Sequence, residues 1–290
     1  MAIGVIGGSG LYGMKELKIK KTKKLKTPFG NPTDEYMFGE LNGKELIFLP
    51  RHGRGHRILP SELNFRANIY GFKTLGVKKI LSVSAVGSLK EEIAPGHIVF
   101  PDQFIDRTFA RASTFFGNGV VAHVSFADPV CKHLIGVTSA AAKRAGAVTH
   151  VGGAYVNMEG PQFSTRAESR MYRSWGASVI GMTNLNEAKL AREAEICYVT
   201  IALSTDYDCW YEGHEEVSTA AILEIIHKNV EMSQKIIKEA VAEIDDAADC
   251  PAGCNHMLAH TIMTDPKKIP PKTKLALKPI IGKYLNPKKQ

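Results

Sequence analysis

Ser178-Val179-Ile180-Gly181-Met182-Thr183-Asn184-Leu185-Asn186-Glu187-Ala188-Lys189-Leu190-Ala191-Arg192, followed three residues later by Ile196-Cys197-Tyr198-Val199-Thr200-Ile201-Ala202-Leu203-Ser204-Thr205-Asp206-Tyr207-Asp208, reads as strand, helix, strand. The first run is short and apolar and ends at Thr183. Asn184 with Glu187 gives a capping signal for a helix through Arg192. Residues 196–204 are apolar at nearly every position instead of alternate ones, as a strand covered on both faces must be. Upstream, Thr165-Arg166-Ala167-Glu168 is a capping box opening a helix that stops at Gly176. Further strands are expected at 79–84, 45–49 and 3–6, with a helix over 61–75 after Pro60. Downstream, Ile222, Ile225, Ile226, Val230, Ile236, Ile237, Val241 and Ile244 recur at helical spacing, so 218–244 is expected to be one long amphipathic helix. The tail holds Pro266, Pro270, Pro271, Pro279 and Pro287 and is expected to be extended, with at most one short helix. Strand, turn and helix in repetition make this an α/β sheet flanked by helices.

Composition agrees with a globular chain. Of 290 residues, 44% are hydrophobic and 23% charged, which excludes disordered, collagenous and fibrous classes. Apolar runs such as 46–49 are far too short to span a membrane, which needs about 20 residues. The first residues read as a strand and not as a secretion signal. Five cysteines, at 131, 197, 209, 250 and 254, form no framework spacing, so a reduced cytoplasm is the expected location. The net charge of +8 is concentrated in two places, 15–26 with +6 and 264–290 with +7, leaving the rest of the chain at −5. A lysine-rich edge strand more often prevents edge-to-edge pairing than binds nucleic acid. The body of the chain suits small anions and not polyanions.

The unusual polar residues follow strands, and in open α/β sheets ligands bind beyond the strands' carboxyl ends. Gly7-Gly8-Ser9-Gly10 offers bare N–H groups and a hydroxyl for a phosphate, although such a turn can also be only a turn. It lacks the lysine of a P-loop and the spacing of a dinucleotide site. Arg51 and His52 supply a fork of donors and a second, titratable donor; alternatively they cap carbonyls and pack. Ser84 and Thr183 are neutral donors or simple turn residues. Asp206 and Asp208, at i and i+2, face one side if the chain stays extended. One of them, protonated, can then donate to a ring nitrogen while the other accepts from an exocyclic amine; a solvated turn is the plainer reading. The acid needs burial and its like-charged neighbour to raise its pKa.

Three segments go further. Asn157-Met158-Glu159-Gly160-Pro161-Gln162-Phe163-Ser164-Thr165-Arg166-Ala167-Glu168, Gly181-Met182-Thr183-Asn184 and Thr205-Asp206-Tyr207-Asp208-Cys209-Trp210 together resemble the 5′-methylthioadenosine phosphorylase branch of the purine nucleoside phosphorylases. The Gly7–Gly10 turn, Arg51-His52-Gly53-Arg54 and Asp102-Gln103-Phe104-Ile105-Asp106-Arg107-Thr108 extend the match, which spans about residues 3–245 in order. The resemblance implies a single α/β domain with a mixed central sheet ringed by helices, over 1–247. Residues 248–290 would form a C-terminal extension packed on it or on an oligomer neighbour. It implies phosphorolysis of 5′-methylthioadenosine to adenine and 5-methylthioribose 1-phosphate, in purine and methionine salvage. Inorganic phosphate is then a co-substrate, and no metal or organic cofactor takes part. Ser9, Arg51, His52, Ser84, the Ala85 backbone and Thr183 would hold the phosphate. Met182 would lie under the ribose, Phe163 would stack near the base, and Ser164 would join the nucleoside contacts. Asp206 would donate to purine N7 as the catalytic acid and Asp208 would take the 6-amino group. His56 and His123 would stand near the 5′ end of the sugar, and Thr219 would line the 5′ pocket. A homotrimer, or a dimer of trimers, is implied, with a neighbouring chain closing the sugar end.

Two departures stand out. Val83-Ser84 occupies a place where the family commonly has two threonines, and Gly213 looks like an insertion beside the 5′ pocket. Cys250, Cys254, His256 and His260 fit no standard zinc spacing, so free thiols are expected, with a Cys250–Cys254 disulfide as the alternative; Cys131, Cys197 and Cys209 read as core packing. Against a 6-aminopurine substrate stands a 6-oxopurine such as methylthioinosine, inosine or guanosine, which prefers a donor such as Asn where Asp stands. A non-catalytic nucleoside-binding protein and an RNA-binding protein using the lysine-rich segments are the remaining alternatives.

Overall fold

The apolar run opening at Cys197 lies deep inside the sheet, where Cys197 through Ser204 are all buried. A computed structural model describes residues 2–14, 16–212 and 219–285, without the side chains of Ser9, Tyr12 and 219–223. In chain order the elements are β1 (Ile3–Gly7), β2 (Lys18–Lys23), β3 (Tyr36–Leu41), β4 (Lys44–Pro50), α1 (Phe65–Thr74), β5 (Lys79–Ser88), β6 (Ile98–Phe100) and β7 (Gln103–Arg107). There follow α2 (Lys132–Arg144), β8 (Thr149–Val151), β9 (Ala154–Met158), α3 (Arg166–Ser174), β10 (Val179–Gly181), α4 (Asn184–Glu193) and β11 (Cys197–Asp206). The chain continues with α5 (Thr219–Glu243), α6 (Pro271–Ala276) and α7 (Lys278–Leu285).

The sheet is mixed. β4, β1, β5 and β11 lie side by side and parallel, so their carboxyl ends emerge together. β10 enters antiparallel at the far end of β5, with Val179 opposite Ser88 and Ile180 opposite Gly87, and continues parallel into β9 and β7. β5 therefore serves three neighbours. β1 leaves it after Ser82, opposite Ile6, while β11 follows it to Gly87. Ser84, expected at a strand end, and Ala85, expected just past it, are thus inside a longer strand whose flank β1 has vacated. The lysine-rich β2 sits at one edge with every residue exposed, as an edge that resists further pairing does.

Local signals explain most boundaries. Thr165 Oγ1 accepts from the Glu168 N–H at 3.2 Å, and the Glu168 carboxylate accepts from the Thr165 N–H at 2.8 Å, the reciprocal bonds of a capping box. The helix expected from Ser61 instead starts at Phe65, because Asn64 Oδ1 caps the Ala67 N–H at 3.1 Å and residues 60–62 make a separate 3₁₀ turn. The tail holds two short helices, not one. Pro271 occupies the first turn of α6, where its missing N–H has no intrahelical partner to lose, and Pro279 is the second residue of α7. Residues 248–285 pack on the same domain. The Tyr70 hydroxyl donates to the Ala276 carbonyl at 2.7 Å, and Lys283 pairs at 2.7 Å with the buried Glu195. Among the described residues no helix is long and apolar enough to cross a membrane.

One buried acid makes stability depend on pH. Glu193, at the end of α4, accepts from the Thr114 hydroxyl and the Phe115 N–H, each at 2.7 Å, and burial pushes its carboxyl up to about 7. Its folded value lies above the unfolded one, so the native chain holds a proton that the unfolded chain has lost. The resulting stability is fully present below the ordinary glutamate range and is lost as pH rises through about 7. Glu193→Gln keeps an acceptor for Phe115 and cannot ionise. Its melting temperature should match wild type near pH 4.5 and exceed it at pH 8, by up to about 3 kcal/mol in stability. Parallel pH–melting curves for the two proteins would contradict this.

Candidate active site

Beyond the parallel strand ends lies a cavity of about 670 Å³, within the usual range for small-molecule sites. Arg51, His52, Ser84, Ala85 and Thr183 line it, as do Gly8 and Gly10 on either side of Ser9. Arg51, the first residue after β4, is 3% exposed. Its Nε donates to Glu187 at 2.6 Å, Nη2 to Ser82 Oγ at 2.6 Å and to Glu187 at 3.2 Å, and Nη1 to the Val83 carbonyl at 2.8 Å. The guanidinium is thereby clamped, with one Nη1 hydrogen left over. Glu187 also accepts from Ser82 at 2.6 Å and from Tyr198 at 2.8 Å. Asn184 joins the same network, donating to Ser82, Tyr198 and Thr200 and accepting from Tyr155. The Asn184 and Glu187 spacing, expected to be a capping signal, is instead two inward side chains on the first turn of α4 that hold Arg51.

His52 corrects a second expectation. Its Nδ1 faces the Ile58 carbonyl at 2.8 Å, and a carbonyl only accepts, so the ring's proton is assigned there. Burial lowers the pKa to about 4, with the Ile58 carbonyl opposing and the Arg51 charge adding to the fall. In the free chain His52 is therefore a neutral acceptor at Nε2, not a second donor. Such a group suits a protonated oxygen of hydrogen phosphate.

At the other end, β11 brings two carboxyls into the cavity by a route the extended-chain argument misses. A bulge between Ser204 and Asp206 sets Asp206 opposite Gly87, and Asp208 then takes a left-handed backbone with φ 50°. Asp206 Oδ1 accepts from the Asp208 N–H at 2.8 Å, an Asx turn, and Oδ2 accepts from the Thr205 hydroxyl at 2.7 Å. A Cβ at Gly87 would stand 3.1 Å from Asp206 Oδ1 and 3.4 Å from Asp208 Cβ, so only glycine leaves both acids in place without a shift. Asp206 is exposed and Asp208 half-buried. Burial pushes the Asp208 carboxyl up, the Ser169 hydroxyl offsets part of this, and the Asp206 charge adds to it. The burial expected to make Asp206 the acid thus falls on its neighbour.

The remaining expected residues divide. Met182, His56 and Phe163 line the cavity, though Phe163 is 83% exposed and stacks on no ring among the described residues. Ser164 is not part of the lining; its carbonyl accepts from the Cys209 thiol behind Asp208. His123 is exposed and lies apart from the cavity, on the segment whose N–H bonds the Thr261 carbonyl. The side chains of Ser9 and Thr219, and Gly213 altogether, are outside the described residues. Two features had gone unread. Ile226, Asn229, Val230 and Ser233 of α5 form a wall of the cavity, and Arg111 braces its floor. The Arg111 side chain is buried; it pairs with Glu159 at 2.9 Å and donates to the carbonyls of Met182 and Glu159 and to Asn186. The signal for α5 was its unbroken apolar stripe; Arg111 had none, lying in an irregular loop.

A family model described as the phosphorylase superfamily matches residues 2–242. The chain belongs to that superfamily. Across 98% of this chain and 99% of the other, it is 62% identical to the S-methyl-5′-thioadenosine phosphorylase of Geobacter sulfurreducens. Among solved structures, a methylthioadenosine phosphorylase from an antarctic soil metagenomic library superposes with a TM-score of 0.92 at 48% identity, covering 96% of this chain and 98% of that one. A variant of the adenosine/methylthioadenosine phosphorylase of Schistosoma mansoni, in complex with methylthioadenosine, gives 0.82 at 35% identity over 89% and 96%.

Proposed function

We propose that this chain cleaves 5′-methylthioadenosine with inorganic phosphate, giving adenine and 5-methylthioribose 1-phosphate. The observation that carries the reading is one cavity with Arg51, His52, Ser84 and Thr183 at one end and the Asp206–Asp208 pair at the other. Near-identical length and high identity to named S-methyl-5′-thioadenosine phosphorylases support the same substrate. Cleavage of the glycosidic bond passes through an oxocarbenium-like sugar while charge grows on the departing base. Phosphate held by Arg51, Ser84, the Ala85 backbone and Thr183, with His52 accepting from it, stabilises the sugar and then captures it. Asp206 donates to N7 and Asp208 accepts from the 6-amino group, with Met182 under the ribose. His56 faces the 5′ side and Phe163 covers the base. Ser9, Ser164 and Thr219 complete the pocket in this reading.

The chemistry requires no metal or organic cofactor. A cytoplasmic homotrimer serving purine and methionine salvage fits the free thiols and the exposed Phe109, Val121 and Met263. In such a trimer His123 would reach a neighbour's sugar end. Base release from methylthioadenosine, methylthioinosine, inosine and guanosine, each with and without phosphate, tests the reading. Phosphate-dependent adenine release that exceeds the 6-oxopurine rates is expected. Release independent of phosphate, or a preference for 6-oxopurines, would overturn it.

A further inference from the structure

Cys131, Cys197, Cys250 and Cys254 come from three distant parts of the chain, yet their four sulfurs all lie within 4.8 Å of one another, and all four residues are buried. Cys131 and Cys197 had been expected to be core packing. His256 and His260, the other candidate ligands in the tail, do not join the group. Each backbone around the cluster is pinned. The Cys131 N–H donates to the Tyr198 carbonyl at 2.9 Å, which holds the start of α2 against the start of β11. Gly253, between Cys250 and Cys254, has a left-handed backbone with φ 74°, and Asn255 Oδ1 accepts from the Cys250 N–H at 2.7 Å.

The spacing and electrostatics both match a bound cation. Zinc–sulfur bonds of about 2.3 Å require tetrahedral S···S edges of ~3.8 Å. The Cys131 and Cys250 sulfurs are 3.4 Å apart, and no pair in the group exceeds 4.8 Å. Two donors already face the sulfurs. Cys131 is the N-cap of α2, where its sulfur accepts from the Leu134 N–H at 3.4 Å at the positive end of the helix. Arg192 Nη1 donates to the Cys254 sulfur at 3.6 Å. Four thiolates around a divalent ion leave two negative charges, and Arg192 with the α2 terminus offsets them.

We propose that Cys131, Cys197, Cys250 and Cys254 form a tetrathiolate zinc site that fastens the C-terminal extension to α2 and β11. Four thiolates with no open position suit zinc and mark a structural site, not a catalytic one. Cys197 begins β11 and Asp206 ends it, about 30 Å away at ~3.3 Å per residue, so the ion has no part in bond cleavage. The test is metal analysis of the full-length protein purified from zinc-supplemented culture, with thiol titration after denaturation. Expected are one zinc per chain, a melting temperature lowered by chelation and restored by zinc but not magnesium, and stoichiometry lost in Cys197→Ser and Cys250→Ser. Because those variants can fail to fold, wild-type apoprotein is also reconstituted with cobalt(II), which should give the intense visible absorption of tetrahedral thiolate coordination. A zinc-free protein with all thiols titrating, a pair of disulfides, or a colourless cobalt titration would overturn the site.

Discussion

Asp206→Ala is expected to release adenine from 5′-methylthioadenosine about 10²–10⁴-fold more slowly than wild type, the usual cost of losing a general acid. The melting temperature should barely move, since Asp206 is exposed and its hydrogen bonds are to its own neighbours. The rate, and not the fold, is therefore what the substitution reads. In the free chain water solvates Asp206, while Asp208 is already pushed towards its neutral form by burial. A purine seated over the pair expels that water and sets two like charges side by side in a drier space. That condition favours one shared proton on the dyad, and growing negative charge on the base then draws it to N7. Asp206→Asn separates donation from proton transfer. Its amide can still donate to N7, so KM should stay near wild type while kcat remains low. Adenine release by Asp206→Ala within about threefold of wild type would place the acid elsewhere.

A residue's task is legible in the sequence where it shows in the residue's immediate neighbours along the chain. The long buried β11 was legible because a strand covered on both faces has no polar alternation. The capping box at Thr165 was legible because its two bonds span only three residues. α2 was not, because its cap is the sulfur of Cys131 where Ser, Thr or Asp usually signals a start. β6 and β8, at three residues each, are too short to show a period. At the site, residue types were legible and their states were not. His52 reads as a donor until the Ile58 carbonyl, six residues on, is seen to occupy its N–H. The two aspartates line one cavity through a bulge and a left-handed residue instead of an extended strand. The four cysteines show the same limit more sharply, since only the fold brings 131 and 197 beside 250 and 254.

The buried partner of Arg51 should matter as much to the fold as Asp206 does to the rate. Glu187 and Arg51 are both almost wholly buried, with side chains 2% and 4% exposed, and neither has water to fall back on. Removing one member of such a pair strands the other's charge, which typically costs about 3–5 kcal/mol. Glu187→Ala should therefore unfold at a markedly lower denaturant midpoint, losing in addition its bonds from Ser82 and Tyr198. Glu187→Gln keeps the shape and part of the network but leaves Arg51 uncompensated until an anion arrives. In wild type the carboxylate has already neutralised the guanidinium, so phosphate meets a balanced pair with one free Nη1 hydrogen. In the Gln variant phosphate becomes the counter-charge. Its addition should raise the variant's melting temperature by more than it raises that of wild type, even though catalysis suffers from the loosened fork. The comparison separates two roles for Glu187. Were the carboxylate merely filling space behind the site, phosphate would stabilise both proteins equally, and the account of Arg51 as a guanidinium held in place for an anion would fail.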